Sequence, residues 1–167
     1  MKQYFIPSVI RFNLFLLVTV LLNSCQQEYL EPAYNVASGG GTVSTYKAYT
    51  LTSADSKNIY GRVVFYKYSS TVTLVQVGLY NTTSGTSYTS AIYEGTVAAN
   101  SSTTLTTLDS ISGDTGAFST NKYFTISGSG FYDQLSSYNA NVRIMSGNTI
   151  VASGDIGANA TPVAEAD

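Results

Sequence analysis

From about residue 46 onwards, the chain consists of short runs in which apolar and polar residues alternate. The runs are rich in β-branched and aromatic residues, which favour strands, and clusters of Gly, Asn and Ser between them favour turns. The predicted strands are Thr45–Leu51, Tyr60–Lys67, Thr71–Leu79, Tyr88–Tyr93, Thr103–Leu108, Ala117–Thr120, Tyr123–Ser127, Asn141–Met145 and Thr149–Ser153. The short Tyr68–Ser70 stretch between the second and third strands predicts a β-hairpin.

One segment has a different spacing. In residues 131–138, Tyr132, Leu135 and Tyr138 recur every third position, which predicts a short helical turn. About eight short antiparallel strands separated by turn residues predict an all-β domain, a Greek-key β-sandwich or barrel, over residues 46–160. Residues 161–167 are assigned to a C-terminal tail.

The N-terminal residues have the layout of a secretory signal peptide. Lys2 and Arg11 precede an apolar run, Leu14–Leu22, of about ten residues, which is too short to span a bilayer. The sequence Leu22-Asn23-Ser24-Cys25 follows and resembles a lipobox, with a small residue directly before the cysteine. We therefore predict a lipoprotein signal peptide at residues 1–24 and acylation of Cys25, with palmitate among its acyl chains.

The residues after Cys25 are predicted to form a lipidated flexible tether, residues 25–45. They are polar, include Pro32, and end near the flexible Ser38–Gly41 stretch. Two or more acyl chains give a stable membrane anchor. We expect a cell-envelope location, at the outer membrane or cell surface rather than the inner membrane. The alternative for Cys25, a buried or free thiol, is at odds with a secreted chain that has a single cysteine.

Composition and charge exclude several classes of protein. Removing residues 1–24 leaves six basic residues against ten acidic ones and moves the formal net charge from -2 to -4, which argues against a nucleic-acid partner. The chain contains no histidine, so a Ser-His-Asp triad, a Cys-His dyad and any His-ligated metal site are excluded. We accordingly expect no cofactor, no metal and no catalytic residue.

Four segments, taken in order, resemble the CHRD domain, a family named for chordin. They are Gly61–Phe65 with Thr71–Leu74, then Ala91–Gly95, then Leu108–Gly116, and finally Tyr132–Leu135 with Tyr138, Asn141–Met145 and Ile150–Gly157. The resemblance covers about Tyr60 to Gly157. It implies a fold similar to the sandwiches of Cu/Zn superoxide dismutase and the immunoglobulins.

The chain departs from this family at its histidines. The resemblance implies a His-Ile-His sequence where this chain has Ala91 and Tyr93, and a later histidine where it has Met145. A methyl, a phenol and a thioether therefore replace three imidazoles, and the metal or proton chemistry that imidazoles support cannot operate here. The resemblance thus implies a scaffold that has lost its polar cluster.

Two sets of residues are candidates for chemistry or binding. The carboxylates are Glu94, Asp109, Asp114, Asp133 and Asp155. Most adjoin Gly, Ser or Thr, where Asp usually caps its own backbone, and we assign Asp114, Gly116, Asp155 and Gly157 to structural turns. Tyrosines can stack on sugars or peptides, and the candidate ligand contacts are Tyr80, Tyr88, Tyr93, Tyr132 and Tyr138. Ordinary strand packing is the alternative for these rings.

Two further residues carry narrower expectations. Met145 beside Tyr93 predicts a thioether–aromatic contact in the core. Asp109-Ser110-Ile111 resembles the acceptor motif of bacterial O-glycosylation, which makes Ser110 a candidate for modification.

The expected function is that of a membrane-anchored envelope lipoprotein with a non-catalytic CHRD-like domain. The domain would bind a glycan or protein ligand or act as a structural component. The alternative is a degenerate dismutase-like or hydrolytic enzyme, which would need two converging carboxylates with raised pKa values. The sequence specifies neither the ligand nor the oligomeric state.

Overall fold

The computed structural model describes residues 43–55 and 57–164. The predicted signal peptide, Cys25 and the tether up to residue 42 lie outside the described residues, as do residues 165–167. The strands of the described part are β1 (Tyr46–Ser53), β2 (Tyr60–Lys67), β3 (Val72–Tyr80), β4 (Ser87–Glu94), β5 (Thr104–Thr107), β6 (Ile111–Ser112), β7 (Phe124–Ser127), β8 (Asn139–Ser146) and β9 (Thr149–Gly157). The all-β prediction is confirmed.

The strands form one curled antiparallel sheet with the order β5-β4-β8-β9-β1-β2-β3-β7, and β6 pairs with β4 outside this path. Strand β1 joins the two halves of the sheet. Its residues 46–51 pair with β2, whereas Thr52 and Ser53 pair with β9. The predicted hairpin joins β2 to β3, and the amides of Tyr68 and Ser69 donate to the Val72 carbonyl oxygen.

The core lies inside the curl, because one residue in two of each long strand points there. In β3, Val75, Val77 and Leu79 are buried, and the residues between them are partly or fully exposed. The outer strands of the path, β5 and β7, have four residues each and are largely exposed. Short edge strands limit unwanted pairing with other chains.

Residues 111–118 pass between β3 and β4, and their conformation differs from the prediction. The predicted strand Ala117–Thr120 is wrong, because Phe118 makes only an isolated bridge to Ile111. The Leu79 amide donates to the Gly116 carbonyl oxygen at 2.8 Å. A Cβ at Gly116, where φ is +68°, would lie 2.2 Å from the Leu79 carbonyl oxygen. Contacts to a neighbouring strand therefore replace regular pairing.

The predicted helical turn is present as helix α1 (Phe131–Gln134), followed by a 3₁₀ turn (Leu135–Ser137). Tyr132 and Leu135 are its buried residues. Gly157, at the end of β9, has a φ of +70°, and a Cβ there would lie 2.2 Å from the Tyr138 carbonyl oxygen. The structure thus requires glycine where the helical segment meets β9. No helix in the described residues is long and apolar enough to cross a membrane.

Candidate functional site

A pocket of about 160 Å³ opens on the outer face of the sheet, at strands β4, β5 and β8. Strand alternation places its residues there. In β8, Val142 and Ile144 point into the core, so Arg143 and Met145 point to the opposite face. In β4, Ile92 belongs to the core and Ala91 pairs directly with Arg143. The lining residues are Thr89, Ser90, Ala91, Tyr93, Thr104, Thr107, Arg143 and Met145.

Arg143 is the charged residue among the buried polar side chains of the described part, with 5% of its surface exposed. Its Nε donates to Asn141 Oδ1 at 2.9 Å, and its Nη1 donates to the Ser101 carbonyl oxygen at 2.9 Å. Its Nη2 is buried and has no hydrogen-bond partner. The guanidinium also lies 4.6 Å from the centre of the Tyr93 ring. Two nitrogens of the guanidinium, Nε and Nη1, are therefore hydrogen-bonded, and the third, Nη2, is not.

Tyr93 and Met145 meet beside this guanidinium. The Tyr93 hydroxyl lies 3.7 Å from Met145 Sδ, a distance within reach of a weak O–H to sulfur hydrogen bond. Both side chains are partly exposed. The expected contact is thus present, but it lies at a surface pocket and not in the core. Three of the lining residues, Ala91, Tyr93 and Met145, stand at the positions where the family resemblance implies histidine.

Residues 95–103 form a loop over the outer face of β8 and β9, and three strand side chains hold it. Asn141 Nδ2 donates to the Gly95 carbonyl oxygen at 2.8 Å, and Arg143 contacts Ser101. Asp155 Oδ1 accepts the Val97 N–H at 2.6 Å. Asp155 therefore anchors this loop. Its hydrogen bond to the loop backbone gives this carboxylate near the pocket a structural role.

A second pocket, of about 260 Å³, lies against the same loop. It is bordered by Val97, Asp155 and residues of β1, β9 and the C-terminal segment. Val163 belongs to the predicted tail, and its amide donates to the Ala48 carbonyl oxygen at 2.8 Å. This pocket contains no buried unsatisfied group among those identified in the described residues.

The other candidate carboxylates lie on separate elements. Glu94 is exposed at the end of β4, Asp109 lies between β5 and β6, and Asp133 forms an exposed ion pair with Lys67 at 2.6 Å. Asp114 accepts hydrogen bonds from Ser84 Oγ at 2.5 Å and from the Gly85 amide at 2.9 Å. The hydroxyl of Ser84 and the Gly85 amide hold the pKa of the Asp114 carboxyl below its usual value.

The five candidate tyrosines occupy different environments. Tyr88 is fully buried and Tyr132 is 7% exposed, so both rings pack in the core and not at a ligand surface. Tyr80 is 60% exposed and stacks on Tyr60 with a centroid separation of 5.3 Å. Tyr138 packs its ring against the core beside Phe131. Tyr93 is the member of this set that lines the first pocket.

Two buried phenols have shifted acidity. Desolvation raises the pKa of Tyr49, and the Gly157 backbone offsets part of the rise. The Tyr49 hydroxyl is nevertheless buried without a hydrogen bond of normal geometry. Desolvation also raises the pKa of Tyr132, with smaller contributions from Tyr49 and Asp133. Neither phenol lines either pocket described above.

The sequence did not identify Arg143. A basic residue inside an apolar strand, Asn-Val-Arg-Ile-Met, was the available signal, because a strand interior seldom accepts an unpaired charge. Ser110, the candidate for glycosylation, is exposed, and its hydroxyl lies 2.7 Å from that of Ser119. In the part of the chain that the structure describes, no group of three or more His, Cys, Asp or Glu side chains is placed to hold a metal ion.

Comparison of the chain with protein-family models, with curated proteins and with solved structures finds no match. The chemistry of the pocket at Arg143 is therefore the guide to function.

Proposed function

We propose that the chain is an envelope lipoprotein, held by acylated Cys25, whose β domain is a CHRD-like, non-catalytic binding module. The pocket at Arg143 is its binding site. The observation that carries this proposal is the composition of the pocket lining, which combines an aromatic ring, a thioether, hydroxyls and a guanidinium.

Such a lining suits recognition. Ligand sites are commonly concave and largely apolar, with a few polar groups that fix the orientation of the ligand. Here Ala91, Tyr93 and Met145 supply the apolar surface, and Arg143 with the threonine hydroxyls supplies the donors. The pocket is small compared with sites for whole drug-sized ligands, which measure about 300 to 1,000 Å³. It therefore suits one group of a larger glycan or protein ligand.

The enzymatic alternative, a degenerate dismutase or a carboxylate-based hydrolase, receives no support from the geometry. Such a hydrolase places two carboxyl groups across one bond of the substrate. The lining of the Arg143 pocket contains no carboxylate. Asp114, Asp133 and Asp155 each engage a separate local partner.

A glycan array and a peptide array, probed with the intact chain in detergent, test the binding function. An Ala91→Leu variant is the companion probe, because Ala91 lines the pocket and a larger side chain fills it. We expect at least one class of ligand to bind the intact chain and to lose binding to the variant. Binding that is equal in both proteins would place the site elsewhere, and silence on both arrays would favour a structural role.

A further inference from the structure

Arg143 forms no ion pair within the described residues. The ion pair in this part of the chain joins Lys67 to Asp133 and does not involve Arg143. Asp155, which pairs with Asn141 beside it in the sheet, uses its Oδ1 to accept the Val97 amide. Burial of a charge without an opposite charge is costly. The face of the Tyr93 ring and two neutral acceptors compensate only part of it.

The unsatisfied end of the guanidinium is the second observation. Arginine has five N–H donors, and the two on Nη2 have no acceptor. Buried polar groups in folded proteins are nearly always paired, so an unpaired group beside a pocket indicates a missing partner. The free N–H groups of Nη2 suit a charged oxygen acceptor, because guanidinium groups form strong hydrogen bonds with carboxylate and phosphate oxygens.

From these observations, and resting on the proposed function, we infer that the Arg143 pocket binds a singly charged carboxylate group of the ligand. The single positive charge of Arg143 matches the single negative charge of a carboxylate, whereas a doubly charged phosphate would bring a second negative charge that Arg143 does not compensate. The lining threonines Thr89, Thr104 and Thr107 add hydroxyl donors. The volume of about 160 Å³ accommodates the carboxylate and a few further atoms, so this is a subsite for one end of a ligand.

Access to Nη2 requires a side-chain movement. The Nη2 atom is buried in this structure. Tyr93 lies over the guanidinium, and its hydroxyl reaches Met145 through a long 3.7 Å contact to sulfur. Sulfur is a weak acceptor, so rotation of the Tyr93 ring gives up little hydrogen-bond energy. A ligand that reaches Nη2 would replace the contact of the guanidinium with the Tyr93 ring.

Matched pairs of small probes test this inference on the intact chain in detergent. Glucuronate with glucuronamide represents an acidic sugar, and N-acetylalanine with its amide represents a peptide end; each pair differs by one charge. Binding is followed through the Arg143 side-chain N–H signals by NMR. We expect each favoured acid to bind about ten- to a hundred-fold more tightly than its amide, the usual gain for a charged hydrogen bond. The acid that binds identifies the source of the carboxylate.

The variant Arg143→Met should abolish this preference, and Arg62→Met is the matched control, because Arg62 lies in β2 and lines neither pocket described above. If Arg143→Met fails to fold, Ala91→Leu keeps the guanidinium and still fills the pocket. Equal binding of acid and amide, or equally tight binding of inorganic phosphate, would overturn the carboxylate inference and leave the binding function intact. The carboxylate inference would also be overturned, with the binding function intact, if array ligands bind at the pocket and none of these probes binds. Silence on the arrays would remove the proposed function instead.

Discussion

Ala91 in β4 and Arg143 in β8 are directly opposite each other in the sheet. A methyl side chain beside a long guanidinium leaves an opening where a larger residue would fill the surface, and both residues line the pocket. Asn141 and Ser101 hold the Arg143 side chain along one side of this opening. A small residue and a buried charge thus create the site together.

The first prediction separates a functional arginine from a structural one. We expect Arg143→Met to lower the free energy of unfolding by no more than about 1 kcal/mol, because removal of an unpaired buried charge offsets the hydrogen bonds that are lost. Urea denaturation monitored by circular dichroism measures this change. A loss above about 3 kcal/mol would show that Arg143 mainly stabilises the fold.

The second prediction concerns the loop of residues 95–103. Asp155→Ala removes the acceptor of the Val97 amide and should lower the free energy of unfolding by about 1 to 2 kcal/mol, with a lower melting temperature. Asp155→Asn retains an oxygen at this position and should lose less. Calorimetry gives the melting temperatures, and limited proteolysis should cut the loop faster in the alanine variant. Unchanged melting in Asp155→Ala would count against the anchoring role.

The third prediction concerns the buried phenol of Tyr49. Its hydroxyl is buried without a hydrogen bond of normal geometry, so Tyr49→Phe should raise the free energy of unfolding by about 1 kcal/mol. Tyr88→Phe is the matched control. It should lower the free energy of unfolding, because the Tyr88 hydroxyl accepts a hydrogen bond from the Thr83 amide at 2.9 Å. Thermal melts of both variants at neutral pH make the comparison, and a destabilised Tyr49→Phe would contradict it.

The same phenol predicts a dependence on alkaline pH. Burial raises the pKa of Tyr49 above its usual value of about 10, so the native chain holds this proton more tightly than the unfolded chain. The corresponding stability is fully present below about pH 10 and is lost as the pH rises from there through the native pKa. Tyr132 acts in the same direction. Urea titrations between about pH 8 and 11 should show a smaller decline in the free energy of unfolding for Tyr49→Phe than for the unaltered chain.

The fourth prediction tests the contact of residues 111–118 with β3. Gly116→Ala should cost about 2 kcal/mol or more, because the added carbon meets the Leu79 carbonyl oxygen and the backbone has a positive φ. Gly78→Ala is the control, since a Cβ at this exposed strand position has no atom within 4 Å. Equal effects of the two substitutions in chemical denaturation would contradict the close approach.

The fifth prediction concerns attachment. Cys25→Ala removes the thiol that would carry the lipid, so the chain should move from the membrane fraction to the soluble fraction. Fractionation of cells followed by immunoblotting measures the distribution. Retention of the alanine variant in the membrane pellet would contradict the lipoprotein assignment.

The sequence by itself determined the fold class and most strand positions. The bounds of β2 match the prediction, and the helical turn lies at residues 131–137. This success has a local cause, because alternation of apolar residues specifies which face of a strand is buried. The predicted strand Ala117–Thr120 was wrong because this segment turns back on residues 110–112 and forms only an isolated bridge, which alternation does not reveal.

Only the tertiary structure decided which residues make up the candidate site. Alternation showed that Tyr93 and Met145 lie in strands, but the register of β4 against β8 brought them together with Arg143. Tertiary packing also distinguished the buried Tyr88 and Tyr132 from the exposed Tyr80. The hydrogen bonding of Arg143 depends on the loop residue Ser101, which is far from it along the chain. Local patterns fix strands, whereas a site depends on contacts between strands, and those exist only after the sheet has formed.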